Sequence, residues 1–223
     1  MDSQKHIFQQ SEADAYFLRN KAKYVPAAES DDLLVKQFRQ IALNPGKTLE
    51  IGCSNGLHLA EIRAAFGCEC VGIDPSPCAI EDGVSRFPEI TLLTGTADQL
   101  PFADASFDTI IFGFCLYLCD RSDLFKIAYE ADRCLRAGGN LVIKDFLPPF
   151  PYANPYAHQQ GITAYKMNYG AMFSWNPAYI EIAKLTYSHG AVELRDLPDE
   201  RICTLVFRKL PEFAYPTAPF SKA

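Results

Sequence analysis

The residues best suited to chemistry stand where short apolar runs end. Leu49-Glu50-Ile51 leads into Gly52-Cys53-Ser54-Asn55-Gly56, a turn of small residues ahead of a helical stretch. Small residues there let backbone N–H groups approach a ligand, and the start of the following helix favours a carboxylate or phosphate. Val71-Gly72-Ile73 ends on Asp74, followed by Pro75, and Ala97-Asp98 lies in the segment Gly95-Thr96-Ala97-Asp98-Gln99-Leu100-Pro101-Phe102. Carboxylates at such ends accept hydrogen bonds from the hydroxyl or amino groups of a ligand. Tyr117, Asp145 and His158 are of types that hold or move protons. A dinucleotide fingerprint needs Gly-x-Gly-x-x-Gly; from Gly52 this chain reads Gly, Cys, Ser, Asn, Gly, Leu, so that spacing fails at the second and third glycines.

The elements that would position these residues alternate. Strands are expected at Thr48–Ile51, Cys70–Ile73, Ile90–Leu93, Thr109–Phe112 and Leu141–Lys144, all nearly continuous apolar runs suited to a sheet covered on both faces. Helices are expected at Gly56–Phe66, at Ser76–Arg86 with Ser76 as cap and proline at the first helical position, and at Ser122–Arg136, stopped by Ala137-Gly138-Gly139. This is the pattern of βαβ units and a parallel sheet. Residues 1–46 read as a helical cover, with a helix start at Ser30-Asp31-Asp32, and 47–146 as the ligand-binding core. Residues 147–180 are irregular and aromatic, the pattern of a lid. Residues 181–223 close the chain: a helix at Pro177–Tyr187 runs into them, and Ala191–Leu197 and Cys203–Arg208 read as an antiparallel pair.

The 223 residues, 48% hydrophobic and 22% charged, suit one α/β domain over 1–223 with a full core. Eight cysteines are scattered without any Cys-x-x-Cys, so neither a disulfide framework nor a metal site is expected. A net charge of −6 and the lack of a basic stripe argue against nucleic acid as partner. No apolar run is long enough to span a membrane, and the start MDSQKHIFQQSEADAYF has neither a basic nor an apolar leader segment. A cytoplasmic protein with a small-molecule partner is the expectation.

Glu50 through Gly56 resembles motif I of the class I S-adenosylmethionine (SAM) dependent methyltransferases: an acid, an apolar residue, then Gly-x-Gly-x-Gly, with Ser54 in the middle glycine's slot. Val71-Gly72-Ile73-Asp74, the Gly95–Phe102 segment, Phe107-Asp108-Thr109-Ile110-Ile111-Phe112 and Leu135-Arg136-Ala137-Gly138-Gly139-Asn140-Leu141 resemble that family's later motifs in order, over about residues 47–146. The resemblance implies a Rossmann-like, doubly wound, seven-stranded sheet with one antiparallel strand. It also implies SAM as cofactor and S-adenosylhomocysteine (SAH) as product. Gly52, Cys53, Ser54 and Gly56 would cradle the cofactor, Asp74 with Pro75 would meet the ribose, and Ala97 and Asp98 the adenine, with a turn cap as the alternative for Asp98. Glu50 either orients the loop amides or touches the cofactor's amino group. Phe114 lines the methionine side or packs in the core.

The implied reaction moves a methyl group to a small-molecule acceptor, oxygen in preference to nitrogen, such as a sugar, a nucleotide-linked compound or an aromatic metabolite. A hydroxyl acceptor calls for a base, for which His158, Asp145 and Tyr117 are candidates. Many small-molecule members of the family carry histidine near Tyr117, and this chain's Leu116-Tyr117-Leu118 departs from that. Arg19, after Tyr16-Phe17-Leu18, either pairs with a carboxylate of cofactor or acceptor or sits on an exposed amphipathic helix. Tyr156, Tyr165, Lys166, Tyr169, Phe173 and Trp175 stack on the acceptor, with a homodimer surface or an auxiliary core as the alternatives. A SAM-binding regulatory protein without turnover is the other reading.

Overall fold

The structure is a computed structural model that describes residues 3–23, 32–189, 194–195 and 197–216. The elements run α1 (Gln4–Ile7), a π-helical turn at Phe8–Glu12, α2 (Ala13–Asn20), α3 (Leu33–Gln40), β1 (Thr48–Ile51), α4 (Leu57–Phe66), β2 (Cys70–Asp74), α5 (Pro77–Arg86), β3 (Thr91–Thr94) and β4 (Phe107–Gly113). Then follow α6 (Leu124–Cys134), β5 (Leu135–Phe146), β6 (Tyr152–Pro155), β7 (Thr163–Lys166), α7 (Ala171–Ser174), β8 (Tyr179–Ser188) and β9 (Arg201–Lys209).

Seven strands form one sheet in the order β3-β2-β1-β4-β5-β9-β8, and only β9 runs against the rest. The expected Rossmann-like α/β sheet is therefore present. Its cause is visible in the apolar runs: Leu49, Ile51, Ile73, Ile110 and Ile143 pack into the core on one face, while Cys70, Leu92, Ile111, Val142 and Val206 pack on the other. Asp32 caps α3 by accepting from the backbone N–H groups of Leu34 and Val35, and Ser76 caps α5 from Ala79. Helix α5 lies close against the glycine loop because it carries a glycine there: a Cβ on Gly83 would stand 2.3 Å from the Asn55 carbonyl oxygen.

The carboxyl ends of β1, β2 and β4 are roofed by the N-terminal segment. Asp14 of α2 accepts hydrogen bonds from Ser76 Oγ (2.6 Å) and the Cys78 N–H (3.1 Å) at the start of α5. Buried Gln4 joins α1 to two other elements, donating to the Leu118 carbonyl (2.9 Å) and exchanging hydrogen bonds with the backbone of Thr163 in β7.

Three expectations are corrected. Residues 179–188 form β8, not a helix across Pro177–Tyr187: the stretch pairs along its length with β9, from Tyr179 opposite Lys209 to Ser188 opposite Arg201, and this pairing overrides local helical spacing. The closing antiparallel pair is thus β8 with β9, and most of the strand expected at Ala191–Leu197 lies outside the described residues. The third correction concerns the aromatic stretch, which is not one lid. Tyr169 and Phe173 are buried in the core, β6 and β7 form a hairpin, and Phe150 and Trp175 are 67% and 75% exposed. The large aromatic side chains at 169 and 173 find apolar neighbours beneath them, Phe173 standing 5.2 Å from Tyr179 between ring centres, so hydrophobic burial takes them inward.

Candidate functional site

The turn after β1 is built on unusual backbone. Gly52 (φ 78°), Ser54 (φ 50°) and Gly56 (φ 78°) are all left-handed, and the N–H groups of Gly52 and Cys53 both donate to the Ile73 carbonyl of β2. Glycine suits this conformation, whereas Ser54 and Phe114 (φ 63°), across the turn at the end of β4, are non-glycine residues held there. Such strain persists where the surrounding structure imposes it, and it concentrates at ligand sites.

Asp74, at the end of β2, is fastened to this turn. Its Oδ2 accepts from the Ser54 N–H (2.8 Å) and its Oδ1 from the Ser76 N–H (2.9 Å). Burial pushes its carboxyl up to about 6, against the pull of these two amides. Each oxygen keeps a lone pair for a ligand hydroxyl.

Two openings meet at this turn. The first, of about 160 Å³, runs past Gly52, Ser54, Asp74, Pro75, Ala97 and Asp98. Lys5, Phe8, Tyr16 and Phe17 of the N-terminal segment also line it. Lys5 Nζ pairs with Asp98 Oδ2 (2.8 Å) and Asp123 Oδ2 (2.9 Å). Burial pushes the Asp98 carboxyl up, and hydrogen bonds from Lys5 and Thr96 outweigh that and hold it below the usual carboxylate range. Asp74, Asp98, Asp120 and Asp123 make this opening acidic, which suits a ligand bearing positive charge, amino groups and hydroxyls.

The second opening, of about 720 Å³, is lined by Glu50, Cys53, His58 and Lys144 and by Tyr156 and the exposed His158. Gly52, Ser54, Gly113, Phe114, Tyr16 and Tyr117 line both openings and so form the passage between them. Glu50 is buried, its Oε1 lies 3.3 Å from His58 Nδ1, and the other imidazole nitrogen lies 3.5 Å from Asp32. Burial disfavours the charged imidazole, yet the two carboxylates prevail and raise the pKa of His58. Beside the passage, Glu50 Oε2 and Ser54 Oγ are buried without a hydrogen-bond partner among the described residues. A Cβ on Gly113 would stand 2.6 Å from Glu50 Oε1, so backbone and carboxylate approach there as only glycine allows. Orphaned polar atoms in a water-poor cradle of left-handed backbone are what a polar ligand completes.

A family model described as a methyltransferase domain matches residues 48–139, the stretch that holds the glycine turn, Asp74 and Asp98. Residues 48–139 are thus similar to methyltransferase domains, on the Rossmann-like fold described above. Over 113 residues it is 34% identical to a demethylmenaquinone methyltransferase of Thermotoga maritima, an alignment covering 49% of this chain and 47% of that one. Over 127 residues it is 30% identical to a malonyl-[acyl-carrier protein] O-methyltransferase of Methylococcus capsulatus, covering 53% and 44%. The chain spans about half the length of the curated relatives it matches. Its fold is similar to that of a Burkholderia thailandensis 1,6-didemethyltoxoflavin-N1-methyltransferase solved with 1,6-didemethyltoxoflavin and SAH, with TM-score 0.69 at 13% identity over 92% of this chain and 88% of the other.

The expected cofactor residues divide between the two openings. Gly52, Ser54, Asp74, Pro75, Ala97, Asp98 and Phe114 line the first opening, and Glu50 and Cys53 line the second. Gly56 lines neither: a Cβ there would meet Ile90 and Leu92 at 2.8 and 2.9 Å, so its role is strand and helix packing. Arg19 also lines neither opening; its guanidinium is engaged by the buried Glu12 and reaches the Tyr156 hydroxyl at 3.3 Å. Asp145 departs most from expectation. It is 1% exposed, is not among the residues lining either opening, and its carboxylate accepts from the backbone N–H groups of Leu116 (2.9 Å), Tyr117 (3.3 Å) and Phe146 (2.8 Å). Through these bonds it holds the turn that carries Tyr117.

Tyr117 lines both openings, and burial pushes its phenol well above the usual range, which leaves it a hydrogen-bond donor. His158 is exposed at the mouth of the second opening, its ring 5.3 Å from Tyr156. His58, His189, Lys5 and Lys144 also line the openings, and none of them is among the candidates drawn from the sequence. His189 stacks on Phe114 at 5.6 Å, and burial, followed by the nearby lysines, lowers its pKa. No local pattern marks it, because β8 had to be recognised as a sheet strand before its end could be placed beside β4.

Proposed function

We propose that this chain is a methyltransferase that binds SAM in the first opening and transfers its methyl group, through the passage at Gly52, Gly113 and Phe114, to a small-molecule acceptor in the second. The observation that carries this reading is the pair of unlike openings joined at the glycine turn. The residues fit the cofactor: Asp74 would hold the ribose hydroxyls, Asp98 the adenine amino group, and Glu50 Oε2, with Ser54 Oγ, the polar end of the methionine. When bound, SAM supplies an electrophilic methyl group on a positively charged sulfur.

The protein's own part is alignment and exclusion of water. Phe114 and Tyr117 wall the passage, the N-terminal segment covers the first opening, and near-contact alignment of the reacting atoms supplies the main rate advantage. His189, kept neutral in the second opening, and His158, at its mouth, are the imidazoles available to take a proton from a hydroxyl acceptor. They support oxygen as the acceptor atom. His58, held between Glu50 and Asp32, and Asp145, held by three amides, are not free to do this.

The test is calorimetric titration with SAM and SAH, with NAD as control, followed by measurement of SAH release across a panel of hydroxylated and amine acceptors. Binding of SAM or SAH that is lost in Asp74→Ala, with turnover on a hydroxyl compound, supports the reading. Binding without turnover on any acceptor would favour a SAM-binding regulatory protein, and absence of binding would end both.

A further inference from the structure

The second opening differs from the first in charge. Among the described residues lining it, Lys23, Lys144 and three histidines face one carboxylate, Glu50, and that carboxylate is already engaged by His58. In a chain of net charge −6, with four aspartates in the adjoining opening, this concentration of lysine and histidine side chains is local.

Lys144 is its centre. It lies in β5, opposite Gly113 of β4 and Thr204 of β9, within a run whose neighbours Val142, Ile143, Asp145 and Phe146 are buried. The side chain is half-buried and lines the second opening, and among the described residues its ammonium makes neither a hydrogen bond nor an ion pair. Comparable lysines elsewhere are all matched: Lys166 with Asp199 at 2.7 Å, Lys209 with Asp132 at 2.9 Å, and Lys5 with two aspartates. Lysine is an uncommon choice in such a run when no carboxylate pairs with it. The rings of Phe114, Tyr117, Phe146 and Tyr187 line the same opening.

We propose that Lys144 determines specificity by pairing with an anionic oxygen group on the acceptor, and that the acceptor is a ring compound carrying such a group, a carboxylate in the first instance. The lysine supplies the missing counter-charge, and the aromatic wall takes the ring. This rests on the second opening being the acceptor site, as proposed above.

The test compares binding of 4-hydroxybenzoate, its neutral amide and 4-hydroxyphenyl phosphate to the SAH-saturated protein, with SAM affinity measured separately on every variant. The carboxylate is expected to bind about tenfold or more tighter than the amide, a difference of about 1.4 kcal/mol. Lys144→Met is expected to abolish that preference while leaving SAM affinity unchanged, and Lys144→Arg to restore most of it. A preference for the phosphate over the carboxylate would keep the anionic recognition and replace the group. Equal binding of acid and amide, no binding of any of the three, or a preference that survives Lys144→Met would overturn the proposal while SAM binding still stands. Loss of SAM binding by the unaltered chain would instead remove the function on which it rests.

Discussion

Lys5 Nζ lies 2.8 Å from Asp98 Oδ2, joining the N-terminal segment to the loop after β3 across the mouth of the first opening. The same ammonium reaches Asp123, so one side chain ties down the roof of the proposed cofactor site at two points. A ligand amino group at Asp98 would meet an oxygen that Lys5 already occupies. Lys5→Met is therefore expected to speed both association and dissociation of SAH by several-fold, read by stopped-flow with a fluorescent SAH analogue. Its effect on unfolding free energy should be small, about 0–1 kcal/mol, because the lysine is partly solvated. Unchanged rates would show that the roof is held elsewhere.

Asp74 gives the site a pH dependence whose sign follows from its surroundings. Its carboxyl titrates at about 6, and both oxygens accept backbone N–H groups. A proton there sets a donor against a donor, so SAM affinity should fall as pH drops from 7.5 to 5, and Asp74→Asn should flatten the profile. Stability of the free chain moves the other way. The folded chain holds this proton more tightly than an unfolded carboxylate with a value near 3.8, so Asp74 contributes a loss of stability as pH rises from about 3.8 to 6. Denaturant midpoints across that window, compared between the parent chain and Asp74→Asn, would reveal the slope.

The core of the sheet was legible because its strands are nearly pure apolar runs; β1 begins and ends where Thr48 and Ile51 predict. Asp74 and Asp98 were legible for a related reason, since strand ends and the loops after them place carboxylates at one edge of a parallel sheet. The second opening was much less so. Its residues come from β1, β5, β8 and the N-terminal helices, and Lys144 and His189 become neighbours of Phe114 only through long-range pairing of β5 with β4 and of β8 with β9. Tyr169 and Phe173 were misplaced because an aromatic ring in an irregular stretch carries no periodicity to show whether it faces the core or a ligand.

Asp145 separates positioning from proton transfer. Asp145→Ala leaves the N–H groups of Leu116, Tyr117 and Phe146 without their buried acceptor, at about 1–3 kcal/mol for each group left unsatisfied. A substantial loss in the urea midpoint is expected. Asp145→Asn keeps one acceptor oxygen and should lose less. If a hydroxyl acceptor is turned over, the pH profile of kcat/KM in Asp145→Asn should keep its shape while its height falls with displacement of Tyr117. Disappearance of the acidic limb, where a general base takes up its proton, would instead make Asp145 the base.

Two glycines test whether the passage depends on close approach or on backbone freedom alone. A Cβ at Gly113 would stand 2.6 Å from Glu50 Oε1 and 3.0 Å from the Gly52 carbonyl oxygen, whereas one at Gly67, the left-handed cap of α4, would meet nothing within 4 Å. Gly67→Ala therefore carries only the left-handed penalty, roughly 1–2 kcal/mol of stability, and should leave SAM affinity untouched. Gly113→Ala must push Glu50 away from the position that His58 holds, and with it the orphaned Oε2 proposed to meet the methionine. A loss of about tenfold or more in SAM affinity is expected, by analogy with removing a charged hydrogen-bonding partner from a buried site. Calorimetry on the two variants, each confirmed folded by its unfolding curve, decides the matter: equal SAM affinity in both would mean that Glu50 does not contact the cofactor.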